Sequence, residues 1–552
     1  MKLNSYDEVE RLTKRLVSIP SIVREPYGET NCAKEIYGYY ESLSYFKENK
    51  QQIKMFQTRD DFVERHCAYA YVKGIKGKSK RTVILIGHID TVGVDDYQKN
   101  SEYAFKSDEL PEFLKTMNVS DEVLKDIESN EYLFGRGSLD MKSGVAGHMF
   151  LITYFSAHPE ELDGNLIAIA ECDEEDSSYG IISALYELEE LKLRENFEYI
   201  ACINADFTTD YYPNDPNYYV YLGCVGKLLP SAYAVGKESH VGQPFGAFDP
   251  NLLLAELTRN ISLNTEFCDK AHGEVTVPPI SLKQSDFKVG YTVQTALAAY
   301  AYYNYFTYSQ SPVDVMNKIK DVAVLSFDNV IKYLNGEYEQ YCNMLNADYS
   351  KLPFRTRVYT WEELYSELEK KHGDKFVNHI SSFAFNLNKT QPELDLRLFS
   401  VKVIEEAWTF IEDNSPALIL FFGSVFSARV EVSSKNQLES NLKTALENAV
   451  KTVQADCKGP INIKMFYPYI SDASFMSISD DIDSVQSLLA NMPSSGSKYN
   501  YPLEYIMKIN VPVVNIGSHG KDGHKFTERV DKRYTFDNVP NMTYEVIKEL
   551  LK

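Results

Sequence analysis

No apolar run in these 552 residues is long and unbroken enough to span a bilayer; the best stretches, around 417–422 and 295–306, are too short or too interrupted by polar residues. Positive charge is scarce: 57 Lys and Arg face 79 Asp and Glu, a formal net charge of −22, which argues against nucleic acid or an anionic membrane surface as a partner. The eight cysteines are scattered and form no CxxC pair, so neither a disulfide framework nor a thiolate zinc site is expected. The start, MKLNSYDEVERLTKRL, lacks the charged-then-apolar order of a signal peptide and reads as a polar amphipathic helix. A cytoplasmic protein is the expectation. The length is too great for one core, so two or three domains are expected.

What the sequence does have is an apolar strand pattern ending in carboxylates, NLIAIAECDEED at 165–176. Leu166 to Ala170 read as a buried strand, and Glu171, Asp173, Glu174, Glu175 and Asp176 crowd negative charge at its C-terminal end, where open α/β sheets place their sites. Such crowding calls for a proton or a cation. Upstream, the strand RTVILI at 81–86 runs into Gly87-His88-Ile89-Asp90, with His88 and Asp90 on one face. After a polar excursion over 93–131, the chain returns as YLFGRGSLDMKSGVAGHMF, a glycine turn that delivers Asp140 to the start of a helix. A further strand, Tyr199 to Asn204, ends in Ala205-Asp206-Phe207-Thr208, and the strand at 511–516 is followed by GSHGKDGHKFTERV, which holds His524 and Glu528.

Each site alone is ambiguous. HxD after a strand also describes a surface histidine beside an aspartate, Asp140 also suits an N-cap, and an acidic run also suits a solvated loop. Successive strand ends and turns that deliver His88, Asp140, Glu174/Glu175, Asp206 and His524 converge on one crevice.

The ordered set HxD, GRG before DMK, DEE, an acidic residue before threonine and a late histidine resembles the M20 family of dinuclear zinc peptidases and amidohydrolases. Over a longer span the chain is similar to the RocB branch of that family, proteins of arginine utilisation, through YLGCVGKLLPSAYAVGKESHVGQPFGAFDPN and PPISLKQSDFKVGYTVQTA. The resemblance implies an α/β fold: a zinc-exopeptidase-like catalytic domain, mostly parallel sheet flanked by helices, with an inserted α+β lid domain. It implies a catalytic domain in two parts, 1–222 and 429–552, around a lid and dimerisation-type insert at 223–428. The strands expected in that insert are 229–235, one near Tyr291, 394–399 and 418–422, the helices 251–261 and 401–411, with an extra helical insertion at about 309–380.

By the same resemblance, His88, Asp140 and Asp206 hold one metal ion and Asp140, Glu175 and His524 the other, with zinc, cobalt or manganese as the divalent ion. Glu174 is the general base, Asp90 orients His88, and His240 stabilises the oxyanion, in some members of the family from a dimer partner. Arg397 and Asn251 are the substrate-binding candidates, and Ser471 and Asp472 occupy a loop resembling the family's substrate-facing one. The implied reaction is hydrolysis of an amide bond, in a short peptide or an N-acyl amino acid, by water activated between two metals, in arginine or amino-acid catabolism. The partners are then a small molecule or short peptide and, in a homodimer, a second copy; nucleic acid and membrane are excluded. Two other classes compete: a catalytically silent metal-binding regulatory protein, and a structural calcium protein, against which two histidines in the donor set argue.

Overall fold

The computed structural model describes residues 2–552. The chain forms two compact units, one of Met1–Val225, Val430–Ser479 and Pro502–Lys552, the other of Gly226–Arg429 and Asp480–Tyr501.

The first unit is built on a nine-stranded mixed sheet. Its centre is four strands in parallel register, Asn165–Glu171, Arg81–His88, Glu198–Asn204 and Val513–Asn515, so their C-terminal ends open on one edge. These strands are apolar on both faces, as a sheet covered by helices requires. Antiparallel strands His66–Lys73 and Ile53–Gln57 extend it on one side, and Tyr218–Cys224 on the other. The helix Ser143–Ala157 packs on the central strands and the helix Tyr179–Glu195 on Asn165–Glu171. The polar excursion at 93–131 is more than a loop. Its helices Leu110–Leu114 and Asp121–Ser129 enclose a small core of Tyr97, Ala104, Leu110, Leu114, Val123 and Phe134.

The second unit carries a six-stranded sheet in the order Ile280–Asp286, Ala298–Thr307, Pro230–Val235, Ala417–Phe422 and Val358–Thr360, with Gly226–Leu228 paired to Ala298–Thr307. Two expected strands are corrected. Residues 394–399 do not form one: Leu396–Trp408 is a helix whose N-cap, Asp395, accepts the backbone N–H groups of Arg397 and Leu398. The alternation LDLRLF reads as a strand, but a capping aspartate followed by apolar Phe399, Val403, Ile404 and Ala407 at helical spacing prevails. Tyr291 is almost fully exposed between the strands Ile280–Asp286 and Ala298–Thr307.

The residues read as an extra insertion belong to the unit's own core. Trp361, Leu364, Leu368, Phe376 and Ile380, on the helices Trp361–His372 and Asp374–Thr390, pack with Tyr233, Ile419 and Phe421 of the sheet. Asp480–Tyr501 also packs in this unit, whereas the sequence reading gave all of 429–552 to the first.

Candidate metal centre

Every residue read as a metal ligand lies in the first unit, at the edge where the parallel strands end. His88 closes its strand in register with Glu171. Beyond Glu171 the backbone turns at Asp173, whose φ of 68° is left-handed, and Ser177 and Ser178 donate to its carbonyl at 3.3 and 2.7 Å. That turn projects Glu174 and Glu175. Asp206 follows the strand ending at Asn204 and is held by its neighbour in the sheet: Asn515 accepts the Asp206 N–H at 3.0 Å and donates to its carbonyl at 2.8 Å. Asp140 approaches through a helix packed so close that a Cβ on Gly144 would lie 2.3 Å from the Ala205 carbonyl oxygen, which only glycine avoids. His524 sits on the hairpin between Gly520–Lys521 and Arg529–Asp531, and the latter strand pairs with Tyr132–Phe134, the strand that leads into the glycine turn before Asp140.

Asp140 is the centre of the group. His88 Nε2 lies 3.0 Å from Asp140 Oδ1, and His524 Nε2 lies 2.8 Å from Oδ2 and 3.0 Å from Glu175 Oε1. One donor atom each from His88, Asp140 and Glu175 falls within 4.8 Å of the others. Asp206 stands outside that tight trio, with Oδ1 accepting the Phe207 N–H at 2.8 Å, yet its charge acts on the same cluster. Glu174 meets His88 Nε2 only at 4.0 Å. His88 Nδ1 is 3.2 Å from the Asp90 carbonyl, which can only accept, so Nδ1 carries the proton and Nε2 is the atom turned to Asp140. The Asp90 carboxylate is 3.6 Å from Nδ1 and accepts the Glu175 N–H at 3.0 Å, so one residue steadies both histidine and glutamate.

The residues fit divalent metal binding. Two imidazole nitrogens joined with carboxylates is a donor set for zinc, cobalt or manganese rather than for calcium, which takes oxygen alone. Glu175 Oε1 is buried without a hydrogen-bond partner although it lies within contact of His524, as a ligand oxygen would be. The electrostatics agree. Burial opposes charge on His524, but Asp140 and Glu175 push its pKa up to about 11; burial likewise works against the Asp140 carboxylate, and the two histidines outweigh it and hold it below the usual range. Burial, with the Asp140 charge beside it, raises Asp206 to about 7, and burial raises Glu174 well above its ordinary value against the pull of His88. A cluster that must borrow protons to exist is one that cations stabilise.

The sequence reading named Glu528 without a role and placed Asp472 on a substrate-facing loop; Arg136, Arg65 and Glu29 were not singled out. Glu528 Oε1 accepts the N–H groups of Leu139 and Asp140 at 3.1 and 3.3 Å, and its other oxygen accepts from buried Arg136 at 2.8 Å. Arg136 also donates to the His524 carbonyl at 3.3 Å and to Asp96. The GRG motif contained this arginine, but nothing in it named the partner. Asp472 is buried with neither oxygen in hydrogen-bonding geometry, although Ser178 lies near; burial raises it to about 7, and its charge acts on Glu171 and Glu174. Arg65 and Glu29, on the far side of the Asp173 turn, had no signal at all.

The other candidates lie in the second unit. His240 is exposed, and its Nδ1 accepts the Gly242 N–H at 3.0 Å. Asn251, in the first turn of the helix Pro250–Ile261, donates its side chain to Asp286 at 2.9 Å. Arg397 pairs with Asp395, the cap of its own helix, and not with a strand neighbour.

The pattern describing peptidase family M20/M25/M40 matches residues 84–507. Protein RocB of Bacillus subtilis is 32% identical over 100% of this chain and 96% of its own length, and protein YqjN of the same organism is 30% identical over 100% and 98%. Among solved structures, an M20 family metallo-carboxypeptidase from Sulfolobus solfataricus superposes with a TM-score of 0.52 at 12% identity, covering 99% of each chain. The di-peptidase Dug1p from Saccharomyces cerevisiae gives 0.51 at 11% identity, covering 99% of this chain and 97% of its own. At such identities the likeness is one of fold, and it agrees with the α/β architecture above; the sequence match over most of the chain carries the assignment. The chain belongs to the M20/M25/M40 family of peptidases.

Proposed function

We propose that this chain is a dinuclear metal-dependent hydrolase that cleaves the amide bond of a short peptide or an N-acyl amino acid. His88, Asp140 and Asp206 would hold one divalent ion, and Asp140, Glu175 and His524 the second. Such ions, zinc with cobalt and manganese as alternatives, would polarise the scissile carbonyl and acidify water enough for attack at neutral pH. The observation that carries the reading is the division of labour between adjacent carboxylates: Glu175 is engaged with His524 at 3.0 Å, while Glu174 stands 4.0 Å from His88. A buried carboxylate with a raised pKa beside the ligand group can take a proton from water and return it to the leaving nitrogen. Asp90 keeps His88 in the tautomer that presents Nε2.

The proposal extends to the second unit by family resemblance: His240 as oxyanion donor, with Arg397 and Asn251 gripping the substrate. Asn251 and Arg397 would have to exchange Asp286 and Asp395 for substrate. A place in arginine or amino-acid catabolism is proposed on the same family resemblance. A homodimer is also proposed. Ile280–Asp286 is an edge strand with Ile280 and Leu282 exposed, and exposed Val289 and Tyr291 follow it, an unpaired edge suited to a second copy.

The test is hydrolysis of a panel of dipeptides and N-acetyl and N-succinyl amino acids by protein loaded with zinc, cobalt or manganese. Turnover of at least one class that disappears on chelation is expected. Protein with two bound metals and no turnover across the panel would overturn the reading.

A further inference from the structure

Arg65 lies ahead of the stretch that matches the family, yet it is among the largest fully buried side chains of the chain. Its guanidinium is shared by three sealed carboxylates. Nε and Nη2 donate to the two oxygens of Asp61 at 2.8 and 3.1 Å, and Nη1 donates to Asp173 Oδ1 at 2.5 Å and to Glu29 Oε2 at 3.4 Å. Glu29 Oε1 in turn accepts the Asp173 N–H at 2.9 Å, and Asp173 Oδ2 accepts the Tyr179 N–H at 3.0 Å. With Ser177 and Ser178 donating to its carbonyl, every polar group of Asp173 is engaged.

As a device for stability this cluster is poor. Taking a guanidinium and three carboxyl groups out of water costs more than their mutual attraction commonly returns, and an apolar cluster of the same volume is often as stable. What it does fix is a backbone. Asp173 holds a left-handed φ, a conformation that a non-glycine residue keeps when its surroundings over-determine it. The next two residues are Glu174 and Glu175, and Asp90 accepts the Glu175 N–H at 3.0 Å.

We infer that Arg65 is a positioning residue for the Glu174–Glu175 pair: acting through Asp173 and Glu29, it sets where the two carboxylates emerge beside His88, Asp140 and His524. This rests on the roles proposed for Glu174 as base and Glu175 as ligand. The fork is the essential feature, because a point charge cannot pair with Asp61 and reach Asp173 and Glu29 in fixed directions together.

The experiment compares the full-length chain with Arg65→Lys and with the double variant Arg65→Met/Asp61→Leu, which removes the cation together with one anion and keeps the space filled. Zinc affinity is measured by competition with a chromophoric chelator, melting temperature with and without zinc, and kcat and KM at saturating zinc on a substrate the unmutated protein hydrolyses. Both variants are expected to bind zinc about 10–100-fold more weakly, a loss of the size seen when groups that orient ligands are removed. At saturating zinc, kcat should fall on the order of 10-fold or more with KM within about twofold, since the substrate contacts are untouched. A purely structural arginine would lower the melting temperature and leave zinc affinity and kcat of the folded protein, measured well below that temperature, within about twofold of the unmutated chain. That result, in either variant, overturns the inference. If the unmutated chain hydrolyses nothing, the functional reading fails by itself, and zinc affinity still decides the role of Arg65. An Arg65→Lys protein too unstable to purify leaves the double variant to decide.

Discussion

Arg136 and Arg65 are both sealed from solvent and both bound to carboxylates behind the candidate metal centre, but they hold different things. Arg136 joins segments remote in sequence: through Glu528 it supports the Asp140 amide, and directly it holds the His524 carbonyl, a span of 388 residues. One of its carboxylates, Asp96, remains about a third exposed. Arg65 serves a single turn and has three buried carboxylates to itself. The first therefore closes a long loop, as ligand convergence in an α/β sheet demands, while the second freezes a local backbone conformation. The Asp140–His524 side of the site and the Glu174–Glu175 side are thus supported independently, and variants should separate them.

The largest effect is expected where the two sides meet. Asp140 contacts both histidines, so Asp140→Ala should lose both metals and all turnover; two tightly bound equivalents in that variant, by elemental analysis, would dismiss its bridging place. On the Glu174–Glu175 side, Glu174→Gln should keep the metals while kcat falls by roughly 10²–10⁴. Glu175→Gln should lose metal first. The reverse pattern would exchange the two roles. On the Asp140–His524 side, Glu528→Gln preserves an oxygen for the Leu139 and Asp140 amides but removes the charge opposite Arg136. Zinc affinity should fall by about 10-fold with Glu174 unaffected, and a change in kcat without a change in affinity would show that the two sides are coupled after all.

The smallest effect is on stability against pH in the metal-free protein. Burial raises Glu29 to about 8, against the help of Arg65, and raises Asp472 and Glu528 to about 7, so between pH 5 and 8 the folded chain holds protons that the unfolded chain has released. Stability then falls as pH rises through this window. His148, which burial lowers to about 3, works the other way up to its unfolded pKa of 6.5 and offsets only part of the trend. The melting temperature without metal should therefore drop from pH 5 to pH 8, and zinc should flatten the drop for the groups at the site. A melting temperature that rises over this range would mean that these carboxyls are already ionised in the fold.

Most of the candidate ligands were legible because they sit at the end of a short apolar run, where strand length alone tells which residue emerges at the sheet edge; Asp140 and His524 were read from glycine-rich turns instead. His88, Asp206 and the Glu174–Glu175 turn all follow from that, and His88 indeed closes its strand beside Glu171. The second unit was less legible. Alternating LDLRLF misled toward a strand because the capping power of Asp395 outweighs two-residue periodicity, and the helices Trp361–His372 and Asp374–Thr390 looked like an insertion because their charged faces conceal the apolar stripe packed on the sheet.

By itself, then, the sequence determined the chemistry available: the order of histidines and carboxylates along the chain, the strands that carry them, and the family to which that order belongs. The tertiary structure decided what holds them. Arg65 reaches Asp173 across 108 residues and Arg136 reaches Glu528 across 392, and no periodicity or motif encodes those pairings. They depend on which side chains lack water once the sheet has closed. An arginine in a sequence is by default a solvated charge, and only burial against a particular carboxylate turns it into a fixed, directional support.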